Sequence, residues 1–559
     1  MAVGLSIKVS ATMLELLIPY ILSHILKNIV TRERVLDIVL WGLLMILCAA
    51  TCCVGNIVAN RMASHVAASF SGRLRMDLFR KMLSLSAGEV DKFTVPSLES
   101  RITTDTYHVH NFVSMMQRMG VRAPILLIGG IIITLLMDFY LALVMIAILP
   151  FIFVTVYFIT RKGIPLYRGV QRSVDDMVRV VREDSQGIRV IKALSKNEYE
   201  NRRYDKVNEK LSKDERHVGI IMASVNPIMT LLMNAGIIGV ILLSAFLVSR
   251  DVSSPETIVA FMQYFTLISM AMMTISRIFA VSTKSTASAR RIEEVLATEN
   301  ELKTESLPSI ENAEDKYISF ENVNFSYLKS ANNIENITFS IAKGQSLGII
   351  GATGSGKSTL IRLLMRFYDV DSGRISIGAK DVRSYEKGEL SSLFGVALQN
   401  DFLYSESISE NIKFGRDISD EDVERAAKIA QAHDFITAFP DGYGHILSQK
   451  GTNISGGQKQ RILIARAIAA RPEILILDDS SSALDYKTDA ALRGALAREA
   501  ADMTVVTVAQ RVSSVKSCDL IIVLDEGRIG AMGTHEELLL TSVEYKEIAD
   551  SQMGGAFVE

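Results

Sequence analysis

The sequence predicts two halves of different class. The first is an α-helical membrane domain of six transmembrane helices with long extensions, and the second an α/β domain carrying a helical subdomain. Three observations predict this. At 559 residues the chain is too long for one ordinary domain, and at 49 % hydrophobic with a mean hydropathy of +0.25 it is too apolar for a soluble enzyme. Long apolar runs end near Ala280, and the remainder is normally polar. Within that remainder, "SLGIIGATGSGKSTLIRLL" sets an aliphatic strand, a glycine-rich loop and a helix in succession.

The membrane half is justified by length. A helix needs roughly 20 apolar residues to cross a bilayer, and candidate spans lie at about 4–28, 36–60, 121–137, 141–160, 219–249 and 257–281. The fifth carries no charged side chain, and only "MDFY" separates the third from the fourth. Lys and Arg set the orientation. About fifteen fall in 161–217 and about eight in 61–120, with few in the loops near 29–35, 138–140 and 250–256. Both long loops and both termini are therefore expected on the cytoplasmic side. Helical patterning carries the spans past the bilayer as rods, with short turns expected near Ser97–Asp105 and Gly187–Lys196.

Glu15 falls inside the first span and Arg277 inside the sixth. Ionisable groups at membrane depth are costly and mark candidate substrate-cavity residues; the alternatives are an interhelical hydrogen bond or snorkelling. The methionines of "FMQYFTLISMAMMTISRIF" are candidates for an adaptable apolar wall, or for plain packing. Cys48, Cys52, Cys53 and Cys518 show no metal-ligand spacing and read as small core or lipid-facing residues. A net charge of −2 argues against a nucleic-acid partner.

In the second half, Gly351, Gly354 and Gly356 let the backbone fold around a phosphate chain with its N–H groups inward. Lys357 reaches the β- and γ-phosphates at the positive end of the following helix. Ser358 offers a hydroxyl to Mg²⁺, assisted by Thr359. About 120 residues on, "ILILDD" delivers Asp478 from a buried strand as a Mg²⁺ carboxylate. Between them, "ISGGQKQR" puts Ser455, Gly456 and Gly457 at a helix start, a second anion-binding cap. With one phosphate cradle already present, this second one is best used on a nucleotide held by another subunit.

With these motifs in this order the chain resembles the ATP-binding-cassette family. Tyr327 in "NVNFSY" matches the aromatic that stacks on adenine. "GATGSGKST" matches Walker A, which adds Thr353 and Ser355 to the ATP contacts. Gln399 in "ALQND" matches the Q-loop, implying a place at the Mg²⁺ and the reacting phosphate. "ISGGQ", through Gln458, matches the signature, and "SSALD", with Ser482 and Asp485, the D-loop. The membrane half resembles the six-helix exporter type: "DKFTVPSLESRITTDT" and "VREDSQGIRVIKALSKNEYENRRY" look like its intracellular loops, and "STASARRIEEVL" like the exit of its sixth helix. The resemblance implies a half-transporter that binds ATP and Mg²⁺, with a transmembrane domain at 1–296, a linker at 297–316 and a nucleotide-binding domain at 317–559.

Three residues depart from the family pattern. The glutamate expected after Walker B is Asp479, the switch histidine is Gln510, and the glutamate ahead of the signature is Gln449. Glutamine carries neither a proton nor a positive charge to a phosphate. Loss of a positioned base costs about 10²–10⁴ in rate. The phosphate-gripping groups remain, so the resemblance implies a site that binds ATP and hydrolyses it slowly, paired with a different half-transporter in an asymmetric heterodimer of the multidrug type. Alternatives are a homodimeric lipid or peptide exporter in which Asp479 works as the base, or a regulatory membrane subunit gated by ATP. Cargo is expected among hydrophobic small molecules, lipids or peptides. Almost nothing precedes the first span, where such exporters carry an elbow helix, and the lack of a targeting extension favours a bacterial cytoplasmic membrane.

Overall fold

The computed structural model describes residues 1–30, 34–250, 256–299, 302–309, 316–327, 329, 332–399, 401–480, 483–499 and 503–553. The chain forms two compact units, Met1–Ser84 with Thr94–Thr298, and Leu85–Phe93 with Glu299–Glu559. Ser482 and much of the linker lie outside the described residues.

The described residues of the first unit are almost all helical. Helix α1 (Ala2–His24) runs on as a π turn to Ile29, and α2 (Val35–Ser84) is 50 residues long. After the short α3 (Ala87–Phe93), which groups with the second unit, come α4 (Val95–Ser100), α5 (Thr106–Met115) and α6 (Arg122–Met137), joined through π turns. Then follow α7 (Phe139–Ala193), α8 (Asn197–Ala223), α9 (Val225–Val248) and α10 (Glu256–Ala297). The predicted spans fall on these helices, the fifth running from the end of α8 across Ser224 into α9. Among the described residues five stretches are long and apolar enough to cross a membrane, and α7 adds an apolar start at Phe139–Thr155.

One residue, Asp138, joins α6 to α7. It is extended (φ −155°, ψ 110°), and its carboxylate accepts from the N–H groups of Tyr140 and Leu141, capping α7. Packing among α1, α6 and α10 centres on Leu16, Ala123, Leu126, Ala260 and Tyr264. The fully buried Tyr264 donates its hydroxyl to the Leu16 carbonyl at 2.6 Å. At Gly130 the helices approach so closely that a Cβ would lie 2.8 Å from Ile268 Cγ1.

The first turn lies earlier than its expected place. Helix α2 stops at Ser84, and Ser97–Asp105 is itself helical. The cause is local: Ser86 and Glu89 form reciprocal caps, with Ser86 N to Glu89 Oε2 at 2.6 Å and Glu89 N to Ser86 Oγ at 3.2 Å. Thr94 then takes a φ of +63° ahead of Pro96. The second turn is confined to Leu194–Lys196, since α7 continues through Gly187 to Ala193.

The second unit holds two sheets. Strands β1 (Ile318–Phe325), β2 (Ile334–Ile341), β4 (Ser372–Ile377) and β5 (Lys380–Asp381) form an antiparallel sheet in the order β2-β1-β4-β5. The larger sheet runs β10-β9-β3-β8-β7-β6. Its strands are β3 (Ser346–Gly351), β6 (Phe394–Ala397), β7 (Ile474–Asp478), β8 (Thr504–Val508), β9 (Leu520–Asp525) and β10 (Arg528–Gly533). All its pairings are parallel except β9 with β10. The aliphatic run of β7 is wholly buried, as a strand covered on both faces requires.

Helices α11 (Lys357–Leu364) and α12 (Lys387–Ser392) follow the nearby strands. Helices α13 (Ile408–Lys413), α14 (Asp420–Ile429), α15 (His433–Thr437) and α16 (Gly456–Ala469) build the helical subdomain around Ile412, Val423, Ala427, Ile436 and Ile464. Helices α17 (Tyr486–Glu499), α18 (Val512–Val515), α19 (His535–Thr541) and α20 (Val543–Met553) complete the unit. Within it, Asp91 of α3 accepts a hydrogen bond from the Tyr368 hydroxyl at 2.5 Å.

Candidate nucleotide site

The four neighbouring parallel strands β3, β8, β7 and β6 end at one edge of their sheet, and each delivers part of the site. The glycine loop follows β3, Asp478 and Asp479 end β7, Ala509 and Gln510 follow β8, and Gln399 lies two residues beyond β6. The parallel register fixes their level: Asp478 pairs with Val508, and Ile349 pairs with the same Val508.

These ends enclose a cavity of about 190 Å³ lined by Thr353, Gly354, Gly356, Lys357, Ser358, Thr359, Gln399, Asp478, Asp479 and Gln510, all expected from sequence, together with Asn333, Val508 and Ala509. Gly356 caps α11 with a φ of +100°. A Cβ there would lie 2.8 Å from Ile334 Cδ1 and 3.1 Å from the Asn333 carbonyl. Lys357 Nζ donates to the carbonyls of Gly351 (2.9 Å) and Ala352 (2.7 Å). Burial lowers its pKa, opposed by Asp478 and Asp479. Ser358 Oγ donates to Asp478 Oδ1 at 3.3 Å. Burial above all, with the charge of Asp479 adding, raises Asp478 above the usual carboxylate range. Hydroxyl and carboxylate oxygens so placed fit Mg²⁺, which takes one or two carboxylates plus substrate phosphates.

Of the other expected ATP contacts, Gly351 enters through its carbonyl, and Ser355 keeps a buried hydroxyl with no hydrogen-bond partner among the described residues. Tyr327 does not line the cavity. Its hydroxyl meets Arg362 (3.2 Å) and Thr359 (3.4 Å), and its ring packs edge-on to Phe325 and Tyr368.

Asp479 has the most constrained surroundings. Its backbone takes a φ of +50°, with its N–H on the Val508 carbonyl at 2.9 Å. Its Oδ2 accepts from Gln399 Nε2 at 3.0 Å and from Gln510 Nε2 at 3.1 Å. Burial raises its pKa; the Gln399 hydrogen bond and the charges of Lys357 and Arg511 oppose the shift.

Residues 1–272 match the family described as ABC transporter transmembrane region, and residues 334–482 the family described as ABC transporter. The chain is 33 % identical to the ABC transporter ATP-binding protein YfiB of Bacillus subtilis, across 99 % of this chain and 96 % of that protein. The chain belongs to the ABC transporter family. A second Bacillus subtilis ABC transporter ATP-binding protein, YknU, is 35 % identical over 86 % of this chain and 82 % of its own length. The structure of a bacterial Atm1-family ABC exporter with ATP bound has the same fold, with a TM-score of 0.81 at 24 % identity over 98 % of this chain and 97 % of that one. This ABC protein is an ATPase-coupled half-transporter, a helical membrane domain fused to an ATPase domain. Gly356→Ala is expected to weaken its ATP binding roughly tenfold through backbone strain, measured by equilibrium titration of nucleotide.

The signature residues of this ABC half lie away from its own cavity. Ser455 caps α16, accepting from Gln458 N at 3.2 Å while Gln458 Oε1 accepts from Ser455 N at 2.9 Å, and Ser455 and Gly456 are exposed. At Gly457 a Cβ would lie 3.1 Å from the Ala483 carbonyl, so glycine lets the D-loop backbone approach. Asp485 is occupied in capping α17 through Thr488.

In the membrane unit a cavity of about 400 Å³ lies between α6 and α10, lined by Arg277, Arg122, Met119, Met270, Met273 and neighbouring apolar residues. Glu15 does not line it. Its carboxylate is held by Arg122, with NH2 to Oε1 at 2.6 Å and Nε to Oε2 at 3.1 Å. Lys8, 3 % exposed, donates to Asn56 (2.6 Å) and Asn60 (3.2 Å). Met270 and Met273 face the cavity; Met262 and Met272 are not among its lining.

Sequence reasoning missed Asn333, Arg122 and Lys8. The charge of Lys8 within an apolar span was a usable signal. Arg122 stands at the edge of its span and Asn333 beside a turn, positions where such residues are commonplace.

Proposed function

We propose that this half-transporter holds ATP at a site impaired for hydrolysis, completes a competent site on a second half-transporter of different sequence, and exports hydrophobic or amphipathic compounds by alternating access. One observation carries this: both side-chain amides, Gln399 and Gln510, donate to the same oxygen of Asp479. Two donors occupy the lone pairs of Oδ2 and pin the carboxylate between two amides, so any proton from water must go to Oδ1 of a side chain that is not free to turn toward it. Asp479 is one methylene shorter than glutamate, and misplacement on the 1 Å scale costs about 10² in rate. Gln510 is neutral and carries no charge to the γ-phosphate.

The remaining groups retain their binding roles. Lys357 and the N–H groups of the loop hold the β- and γ-phosphates, Ser355 offers its unpartnered hydroxyl, and Tyr327 supports the base. Mg²⁺, held by Ser358, Asp478 and Gln399, would offset phosphate charge. Exposed Ser455 and Gly456, with the half-buried Gly457 and Gln458, cover the nucleotide of the partner, and the D-loop Ser482 and Asp485 take part in the same contact. Because each ATP then touches both halves, binding favours closure of the pair, and hydrolysis at the other site resets it. The Lys/Arg bias supports a cytoplasmic ATPase domain and cytoplasmic termini.

Mg-ATPase turnover of the purified chain in lipid nanodiscs, beside Lys357→Ala as the blank, tests this. Turnover equal to the blank with ATP still bound supports it. Turnover on the order of 1 s⁻¹ or more would instead establish a homodimeric pump with Asp479 as base. That second function is favoured by one observation, the burial that moves the Asp479 carboxyl upward toward a base's range.

A further inference from the structure

The cavity between α6 and α10 is graded from end to end. Arg122, Ala123 and Leu126 share one face of α6, with Met119 on the π turn before it. Leu267, Met270, Ala271, Thr274 and Arg277 form the facing stripe on α10. Gly130 of α6 packs against Tyr264 and Ile268 while Arg122 and Arg277 line one cavity, so the two stripes run antiparallel and both arginines fall toward the same end. Leu126 and Leu267 line the opposite end. Along α10, Leu267 to Arg277 spans roughly 15 Å at 1.5 Å per residue.

The charge on this wall is of one sign. No carboxylate lines the cavity among the described residues. Glu15 takes part of the charge of Arg122 from outside the lining, while Arg277 has no ion-pair or hydrogen-bond partner among the described residues. Leaving a cation at membrane depth is costly, and such residues face a bundle interior or a cavity. Snorkelling accounts for one arginine near a helix end. It does not account for two converging on one cavity, one of them tethered by a carboxylate.

Resting on the export function proposed above, the geometry points to a narrower cargo: an amphipathic anion. Its carboxylate or phosphate head is held between the guanidinium groups of Arg122 and Arg277, and its apolar tail lies along Met270, Met273 and Leu126. Guanidinium forks suit planar and tetrahedral oxyanions. Methionine adapts to tails of varied shape. Glu15 competes with the cargo for Arg122 and pre-orients it in the empty cavity.

Equilibrium binding of radiolabelled dodecyl phosphate to the full chain in phosphatidylcholine nanodiscs tests this. It needs no ATP hydrolysis, so its outcome is independent of the impaired ATPase site. Saturable binding is expected, with dodecyl maltoside and dodecyltrimethylammonium competing at least about tenfold more weakly, the factor a charge-assisted hydrogen bond provides. Arg277→Gln is expected to weaken dodecyl phosphate by a similar factor and leave dodecyl maltoside unchanged. Arg277 is the first choice because it is exposed and its loss leaves no carboxylate unpaired. Glu15→Gln is expected to tighten binding by freeing Arg122. Equal binding of the three head groups would overturn the proposal. So would an unchanged affinity in Arg277→Gln, or displacement by inorganic phosphate as strong as by dodecyl phosphate, which would show an ion site with no place for a tail.

Discussion

Converting Asp479 to glutamate and Gln510 to histidine together is expected to raise Mg-ATP turnover of the purified chain by about 10²–10⁴, the range associated with a positioned base. The longer side chain carries its carboxylate past the point where Gln399 and Gln510 now meet on Asp479 Oδ2. Histidine also offers a charged donor where an amide stands. The remaining parts are in place: Lys357, Ser358 and Asp478 line the cavity, and the exposed cap at Ser455 is available to a second copy. Each single substitution is expected to recover less than its share, because the two side chains meet on one oxygen and act as a unit. Steady-state phosphate release by the four proteins, with Lys357→Ala subtracted, is the measurement. Wild-type turnover already matching the double variant would show that Asp479 needs no help.

Arg466→Ala is expected to destabilise the ATPase domain by about 1–3 kcal/mol or more, the range for leaving a buried acceptor without its donor. The Arg466 guanidinium is buried. It donates to the Asn411 carbonyl (2.8 Å), the Phe402 carbonyl (2.9 Å) and Asn411 Oδ1 (3.1 Å), while Arg416 holds the Arg466 carbonyl at 2.7 Å. Alanine leaves those acceptors without their donor and opens space between α13 and α16. Phe402 lies three residues beyond Gln399, so the same substitution loosens the segment that presents Gln399 to the site. Denaturant unfolding monitored on the full chain reads the loss of stability, and nucleotide titration below the transition reads the effect on the site. The conservative change Arg466→Lys is expected to recover only part, since an ammonium group cannot reproduce the planar fork.

What was legible in the sequence follows how local each feature is. The glycine loop shows itself because strand, loop and helix are contiguous, and the aliphatic run before Asp478 because a strand buried on both faces can be read as such. Among the described residues five spans are legible by length alone, and the apolar start of α7 is shorter. The first turn was misplaced although its signal was equally local: Ser86 and Glu89 are a capping box, overlooked beside the more conspicuous polar stretch after Pro96. Other features depend on tertiary structure. Glu15 and Arg122 are separated by 107 positions and Lys8 and Asn56 by 48, and no periodicity connects either pair. Gln399 and Gln510 were each placed by motif, yet only the parallel order β8-β7-β6 brings them to the two sides of Asp479.

The joint at Asp138 has a mechanical consequence. Consecutive Cα atoms lie about 3.8 Å apart, so a link of one residue has no slack. The α6 and α7 axes can splay like the arms of a compass, but neither can slide along the other by even one helical turn of about 5.4 Å. At this end the rods therefore move as one piece, and any widening of the gap beside α6 must draw the start of α7 with it.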